Sequence, residues 1–303
     1  MSLELPQSRF ADAGGPVHYR EWEGPAELTF VCVHGLGGSH VNWASVAPGL
    51  ARHGRVIALD LPGFGRSPRA GRRCTLPGLR RALSAFIRTS TSGPVVLVGN
   101  SMGGTLSILQ AANEPSTVKS LILSSPVVPI ARGGFPSPAV VAAFALYRTP
   151  GLGELFGRFR IKGLPPEREV ALGFRMTAAD PSRIGPEVVA AHVEMTRVRH
   201  RNPDAVPAFL EAARSLLFLV ARPRLARELM DRVSCPVLMI QGSQDKLVPA
   251  AFGRATAGAY PAWDFRLVKD AGHVVQIELP EQWLAEVEPW VTAVVAPRPA
   301  ARA

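Results

Sequence analysis

VGNSMGGTL, residues 98–106, follows the apolar run PVVL and precedes a segment of helical composition. Gly99, Ser101 and Gly103 within it fit the pattern G-x-S-x-G at a strand-to-helix junction. The stretch predicts either an ordinary glycine-rich turn or an exposed serine nucleophile at a helix N-terminus, where partial positive charge favours a developing anion. A phosphate-binding loop does not fit, because both the P-loop lysine and the G-x-G-x-x-G spacing are missing.

Apolar runs rich in Val, Ile and Leu alternate with helical segments on both sides of this stretch. We predict strands at residues 17–22, 27–35, 55–63, 94–100, 118–125, 235–242 and 264–272. We predict helices at residues 76–89, from 102 onward, and at 280–294. Near-continuous apolar strands indicate a parallel sheet that helices cover on both faces. The alternation therefore predicts an α/β doubly wound architecture.

The strand pattern disappears between residues 126 and 224. The segment opens with the turn-rich passage PVVPIARGGFPSP and continues as amphipathic stretches separated by prolines, which is too long and too helical for a loop. We expect a core formed by residues 1–125 and 225–303, with 126–224 inserted as helices. Open α/β sheets bind ligands at the carboxyl ends of their strands, so we place the insertion there.

Charge and cysteine content exclude several classes of function. The formal net charge is +10 over 303 residues, but arginines scattered along the chain supply most of it, so we expect no nucleic-acid partner. Cys32, Cys74 and Cys235 have neither metal-ligand nor disulfide spacing. The first residues lack the pattern of a signal peptide, and the apolar windows are too short to span a bilayer. We expect a cytoplasmic protein with no integral membrane segment and no metal; the oligomeric state stays open.

A serine nucleophile needs a base, and the base needs an orienting acid. His273 lies in the loop after the final predicted strand, and Asp245 lies in the loop after the strand before it. Ser101, Asp245 and His273 thus all follow strands, in the chain order serine, acid, histidine. Taken singly, His273 could be structural and Asp245 a turn or N-cap residue. Together they predict a catalytic triad.

The loop HGLGG, residues 34–38, also follows a strand and is flexible enough to aim a backbone N–H inward. We predict that the amides of Leu36 and Met102 form an oxyanion hole, in which their side chains matter less than their N–H groups. His34 is expected to shape the loop through local hydrogen bonds.

These motifs resemble those of the serine hydrolases of the α/β-hydrolase superfamily, of the esterase/lipase-like kind with a helical cap. The motifs are HGLGG (34–38), DLPGFGRS (60–67), GNSMGG (99–104), GSQDKLVP (242–249) and AGHVVQIELPE (271–281). The resemblance implies that Ser101 is the nucleophile, His273 the general base and Asp245 its orienting carboxylate. It further implies that Leu36 and Met102 supply the oxyanion donors, that the insertion is the cap, that Asp60 is structural, and that no cofactor is required.

Among the reactions of this superfamily, the sequence favours hydrolysis of a carboxylic ester of a small to medium apolar substrate. Dehalogenases and epoxide hydrolases use an aspartate where this chain has Ser101. Carbon–carbon hydrolases of ring-cleavage products share the GNSMGG elbow, but usually carry Gly-Pro-Gly in the oxyanion loop and an aromatic residue soon after the histidine. Here residues 37–39 are Gly-Gly-Ser and residues 274–275 are Val-Val. That reaction, a cofactor-free perhydrolase and a non-catalytic ligand-binding protein are the alternatives.

Overall fold

Eight strands form one sheet in the computed structural model, which describes residues 3–128 and 137–295. The strands are β1 (Arg9–Asp12), β2 (Pro16–Trp22), β3 (Thr29–Val33), β4 (Arg55–Leu59), β5 (Val95–Asn100), β6 (Val118–Ser124), β7 (Val237–Gly242) and β8 (Asp264–Val268). Their spatial order is β1-β2-β4-β3-β5-β6-β7-β8. Every predicted strand is present, and β1 is a strand that the sequence did not indicate.

The sheet is mostly parallel. β2 runs antiparallel to β1 and β4, whereas the six strands from β4 to β8 in the spatial order are mutually parallel. Their carboxyl ends consequently meet at one edge of the sheet. The predicted α/β class is confirmed, and the shared edge is where the loops after β3, β5, β7 and β8 converge.

Helices cover both faces of the sheet. They are α1 (Ala47–Leu50), α2 (Leu76–Ser90), α3 (Met102–Asn113), α4 (Pro138–Arg148), α5 (Leu152–Lys162), α6 (Pro166–Thr177), α7 (Pro186–Arg201), α8 (Ala205–Val220), α9 (Pro223–Met230), α10 (Ala250–Ala259), α11 (Val275–Glu278) and α12 (Pro280–Trp290). Alternate residues of β3 point to opposite faces of the sheet. Val31 and Val33 belong to the core beneath α2 and α3. Phe30 and Cys32 belong to the core beneath α1 and α12. This alternation is the side-chain geometry of a strand buried on both faces.

Helices α4 to α9 lie between β6 and β7, and we call residues 137–230 the helical insertion. The predicted boundary at residue 224 falls inside α9. Residues 129–136, most of the passage PVVPIARGGFPSP, and residues 296–303 lie outside the described chain. Buried side chains of α6 and α7 pack with Val274, the residue after His273, and with Ile277 on α11, so the insertion adjoins the histidine loop. No helix in the described ranges is long and apolar enough to cross a membrane.

His192 on α7 gives the insertion a pH-sensitive contribution to stability. Its ring packs edge-on against Phe174 at 5.1 Å, and its Nδ1 lies 2.8 Å from the carbonyl oxygen of Val188. Burial lowers the pKa of His192 to about 4. A histidine in the unfolded chain titrates near ~6.5, so the unfolded state binds more protons between these two pH values.

We therefore expect the free energy of unfolding to fall as the pH drops from about 6.5 towards 4. His192 should contribute up to about 1.4 kcal/mol of this decrease per pH unit. Replacing His192 with phenylalanine should make the loss of stability between neutral pH and pH ~5 smaller. Urea unfolding of both proteins at each pH measures the difference. An identical pH dependence in the two proteins would contradict this role of His192.

Candidate active site

Ser101 occupies the junction between β5 and α3 with φ 55° and ψ −120°, a conformation that costs a non-glycine residue about 1–3 kcal/mol. A Cβ atom at Gly99 would lie 2.5 Å from the carbonyl oxygen of Gly103, and one at Gly103 would lie 2.0 Å from that of Val33. Both contacts are too short, so the junction needs glycine at both positions. Ser101 itself stays partly exposed at the carboxyl edge of the sheet.

The surroundings of Ser101 suit a developing negative charge. Met102 is the first residue of α3, and the first N–H groups of a helix have no partner within the helix. They carry the partial positive charge of the helix N-terminus. A Cβ atom at Gly35 would lie 3.1 Å from Cβ of Ser101, so the loop that carries Leu36 lies against the serine.

His34 holds this loop by two hydrogen bonds, as the sequence predicts. The backbone N–H of Leu61 donates to His34 Nε2 at 3.0 Å, so Nδ1 carries the proton and donates to the Gly35 carbonyl at 2.7 Å. Burial lowers the pKa of His34, which agrees with a neutral ring.

Asp245 and His273 are in direct contact at the same edge of the sheet. His273 Nδ1 lies 2.8 Å from Asp245 Oδ2, and both residues are buried. The backbone N–H groups of Leu247 and Val248 each donate to Asp245 Oδ1 at 2.9 Å, and Gln241 Nε2 donates to Oδ2 at 2.8 Å. Four donors thus surround this carboxylate and fix its orientation against the His273 ring.

Asn100 connects the serine to the histidine loop. Its Nδ2 donates to the carbonyl oxygens of Ser124 at 3.0 Å and His273 at 3.3 Å, so the residue before Ser101 fixes the backbone of His273. Within the described chain, no hydrogen bond joins Ser101 Oγ to the His273 ring. Such contacts are often long in unliganded sites and shorten when substrate binds.

Glu278 on α11 joins the helical insertion to the histidine loop. Its buried carboxylate accepts the backbone N–H groups of Gly272 at 2.8 Å, Ala179 at 3.0 Å and Asp180 at 2.8 Å. The N–H of His273 also donates to the Thr177 carbonyl at 2.5 Å. The end of α6 and the loop of His273 are therefore held as one unit.

Replacing Glu278 with glutamine is expected to lower the free energy of unfolding by about 2–4 kcal/mol. One charge-assisted acceptor oxygen is lost, and the new NH₂ group faces backbone donors. Urea unfolding measures the change. Glu281→Gln is the matched control, since Glu281 is exposed on α12 and should change stability by less than about 0.5 kcal/mol. Equal stabilities of the two variants would contradict the bridging role.

Asp60, after β4, anchors the chain that follows the loop of residues 34–38. Its carboxylate accepts the backbone N–H groups of His40 at 2.6 Å and Arg66 at 2.8 Å, and it contacts Nδ1 of His18 at 2.8 Å and of His40 at 3.0 Å. A Cβ atom at Gly65, where φ is +53°, would lie 2.2 Å from Asp60 Cγ. These contacts agree with the structural role that the resemblance implies.

His18, His40 and Asp60 also form a group whose potential metal-binding atoms lie within 4.8 Å of one another. Arg20 Nε donates to His40 Nε2 at 3.1 Å, so the Nδ1 that faces Asp60 carries the proton. A metal ligand must offer a free lone pair. The group is therefore a hydrogen-bond network, and its donor atoms do not fit a metal centre.

Two side chains of the insertion lie against the loop of residues 34–38. Arg199 on α7 donates to the Gly37 carbonyl at 2.9 Å, and a Cβ atom at Gly37 would lie 3.3 Å from the ring of Phe209 on α8. Sequence reasoning did not identify these contacts, nor those of Asn100, Gln241 and Glu278. Only the position of Asn100 and Gln241, as polar residues at the ends of apolar strands, could have indicated them.

The fold and this edge of the sheet define an α/β hydrolase. A family model described as alpha/beta hydrolase fold matches residues 29–280, and the chain belongs to that family. As an enzyme it falls in the hydrolase class.

Known proteins similar to this chain differ in the reactions that their names describe. A pimeloyl-[acyl-carrier protein] methyl ester esterase of Aeromonas salmonicida is 31% identical, over 86% of this chain and 94% of that protein. A 2-hydroxy-6-oxo-6-(2'-aminophenyl)hexa-2,4-dienoic acid hydrolase of Metapseudomonas resinovorans is 28% identical, over 91% and 87%. The structure of a thermophilic esterase from Thermogutta terrifontis superposes with a TM-score of 0.71 at 24% identity, covering 96% of this chain and 100% of that one.

Proposed function

We propose that this protein is a serine hydrolase that cleaves carboxylic esters through an acyl-enzyme, with Ser101, His273 and Asp245 as its triad. The observation that carries the proposal is the 2.8 Å contact between His273 Nδ1 and Asp245 Oδ2 at the sheet edge where Ser101 stands. A histidine whose Nδ1–H donates to a carboxylate has a free Nε2 lone pair, which is the base that a serine hydroxyl requires.

In the proposed reaction, Ser101 Oγ attacks the ester carbonyl carbon while His273 Nε2 takes its proton. Asp245 stays ionised and stabilises the imidazolium. The amides of Leu36 and Met102 donate to the oxyanion of the tetrahedral intermediate. When the ester bond breaks, His273 gives its proton to the leaving alcohol. Water then adds to the acyl-enzyme with His273 again as base, which releases the acid and restores Ser101.

Two observations favour an ester over the carbon–carbon bond of a ring-cleavage product. The oxyanion loop reads Gly-Gly-Ser at 37–39, and Val274 and Val275 follow the histidine. Of the two relatives described above, the one with the higher sequence identity to this chain is named as a methyl ester esterase. We propose that the insertion acts as the cap over this site and that its buried apolar side chains select small to medium apolar acyl groups.

The decisive experiment is labelling with a fluorophosphonate, which reacts only with an activated serine. We expect one label per chain on the peptide that contains Ser101, and hydrolysis of p-nitrophenyl esters in a panel of increasing acyl length. His273→Gln should suppress both, whereas His53→Gln, which changes a histidine beside Glu288 and outside the site, should suppress neither. A folded wild-type protein that takes no label would instead be a non-catalytic ligand-binding member of the family.

A further inference from the structure

A cavity of about 1080 Å³ lies between α5 and α8 of the insertion and the core segment 69–75. Among the described residues, neither the proposed triad nor the proposed oxyanion donors line it. Ligand sites in proteins typically enclose about 300–1,000 Å³, so this cavity has room for a whole ligand. It is therefore a second candidate site, separate from the one that contains Ser101.

Positive charge dominates the walls of this cavity. Its lining carries five cationic and two acidic side chains, an excess of three positive charges. Glu211 pairs with Arg69 at 2.6 Å and with Arg73 at 2.5 Å, and Glu154 pairs with Arg214 at 2.9 Å. The two carboxylates are thus already engaged by three of the five cations.

The two remaining cations lie on one face of α5. Arg158 and Lys162 are one helical turn apart, both are exposed, and neither forms an ion pair within the described parts of the chain. Like charges four residues apart on a helix repel each other, and an anion between them removes that repulsion. This pair is therefore the part of the cavity that fits an anionic group.

Helix α8 contributes the apolar residues Val206, Leu210 and Phe218 to the lining, beside its own Glu211, Arg214 and Ser215. Val206 and Leu210 are buried, whereas the ring of Phe218 is 55% exposed at the rim, where the Arg222 guanidinium lies 3.3 Å from its centre. Apolar side chains and unpaired cations in one lining fit a ligand that has a charged end and an apolar chain.

We propose that this cavity binds a single-chain amphiphile with a phosphate or carboxylate headgroup, distinct from the ester substrate at Ser101. Arg158 and Lys162 hold the headgroup, and the alkyl chain lies along Val206, Leu210 and Phe218. The proposal does not depend on Ser101 being a nucleophile, because none of the described residues that line this cavity belongs to the proposed triad or to the proposed oxyanion donors.

Calorimetric titration with octyl phosphate tests the proposal. Separate titrations with 1-octanol and with inorganic phosphate test the apolar half and the charged half of this ligand. We expect one saturable site for octyl phosphate and weaker binding of either half. The double variant Arg158→Glu, Lys162→Glu should weaken octyl phosphate by about tenfold or more, since both charge-assisted contacts are lost. The matched control Arg232→Glu, Arg254→Glu changes two exposed arginines outside the cavity and should stay within about twofold of wild type.

A diazirine-bearing alkyl phosphate then locates the site, and mass spectrometry should place its label on residues 152–162 or 205–220. Label confined to peptides around Ser101 or His273 would overturn the proposal, as would equal affinity in the two double variants.

Leu155 and Phe159 on α5 are also exposed, at 68% and 55%, so vesicles of phosphatidylcholine with and without phosphatidylglycerol are a necessary comparison. Charge-dependent vesicle binding without any binding of monomeric octyl phosphate would assign these cations to a membrane surface instead.

Discussion

Replacing Ser101 with alanine is expected to abolish ester hydrolysis, lowering kcat by about 10⁴- to 10⁶-fold. Alanine retains the Cβ atom and the strained backbone but removes the oxygen that forms the acyl-enzyme in the proposed reaction. Within the described chain, Ser101 Oγ makes no hydrogen bond, so its removal leaves no buried polar group without a partner. The fold should therefore be unchanged.

Initial rates with p-nitrophenyl esters measure the loss of activity, and thermal unfolding followed by circular dichroism checks the fold. Ser92→Ala is the matched control, because Ser92 is exposed in the turn before β5. It should keep wild-type activity. An alanine variant at 101 that folds and retains activity within about tenfold of wild type would remove Ser101 from the mechanism.

The sequence predicted the sheet well because its central strands are buried on both faces. Such strands consist almost entirely of residues such as Val, Ile and Leu, and this pattern can be recognised in the sequence alone. β1 was missed because it has four residues and mostly exposed side chains, so it has no apolar pattern. β8 ends at Val268 rather than at the predicted residue 272, because Asp270 has φ 54°, which an extended strand does not allow.

The sequence was sufficient to place the candidate site residues at one edge of the sheet, but not to identify the side chains that hold them there. Ser101 directly follows β5, and Asp245 and His273 lie in the loops after β7 and β8, so the sheet brings all three to one edge. Glu278 and Gln241 act through partners that only the folded chain supplies. Glu278, for instance, accepts N–H groups from residues 98 and 99 positions away in the sequence, where the insertion returns to the core. The cation-lined cavity was missed for the same reason, since it forms only where α5, α8 and residues 69–75 meet.

Replacing Asp60 with asparagine is expected to lower the free energy of unfolding by about 3–5 kcal/mol, the largest effect on stability that we predict. Asp60 is fully buried and has four N–H groups directed at its carboxylate, from the backbone of His40 and Arg66 and from the rings of His18 and His40. Asparagine offers one acceptor oxygen in place of two, and its own NH₂ would face those donors.

Urea unfolding at neutral pH measures this change. Glu228→Gln, on the exposed side of α9, controls for the loss of a carboxylate and should alter stability by no more than about 0.5 kcal/mol. His18→Gln removes one ring donor and should cost less than Asp60→Asn. If Asp60→Asn were no more destabilising than Glu228→Gln, the network would not hold the loop that follows residue 38.

The pH dependence of the free energy of unfolding distinguishes the contribution of the Asp60 charge from that of the packing around its side chain. Burial alone would raise the pKa of Asp60, but His40 and His18 outweigh that effect and hold the pKa well below its usual range. A carboxylate with a depressed pKa stabilises the fold above the unfolded pKa of about 3.9, and this contribution is lost as the pH falls further. The wild-type protein should therefore lose its advantage over Asp60→Asn in acid, and the two stabilities should converge below pH ~4. A constant difference down to pH ~3 would show that packing around Asp60, and not its charge, anchors the chain that follows residue 38.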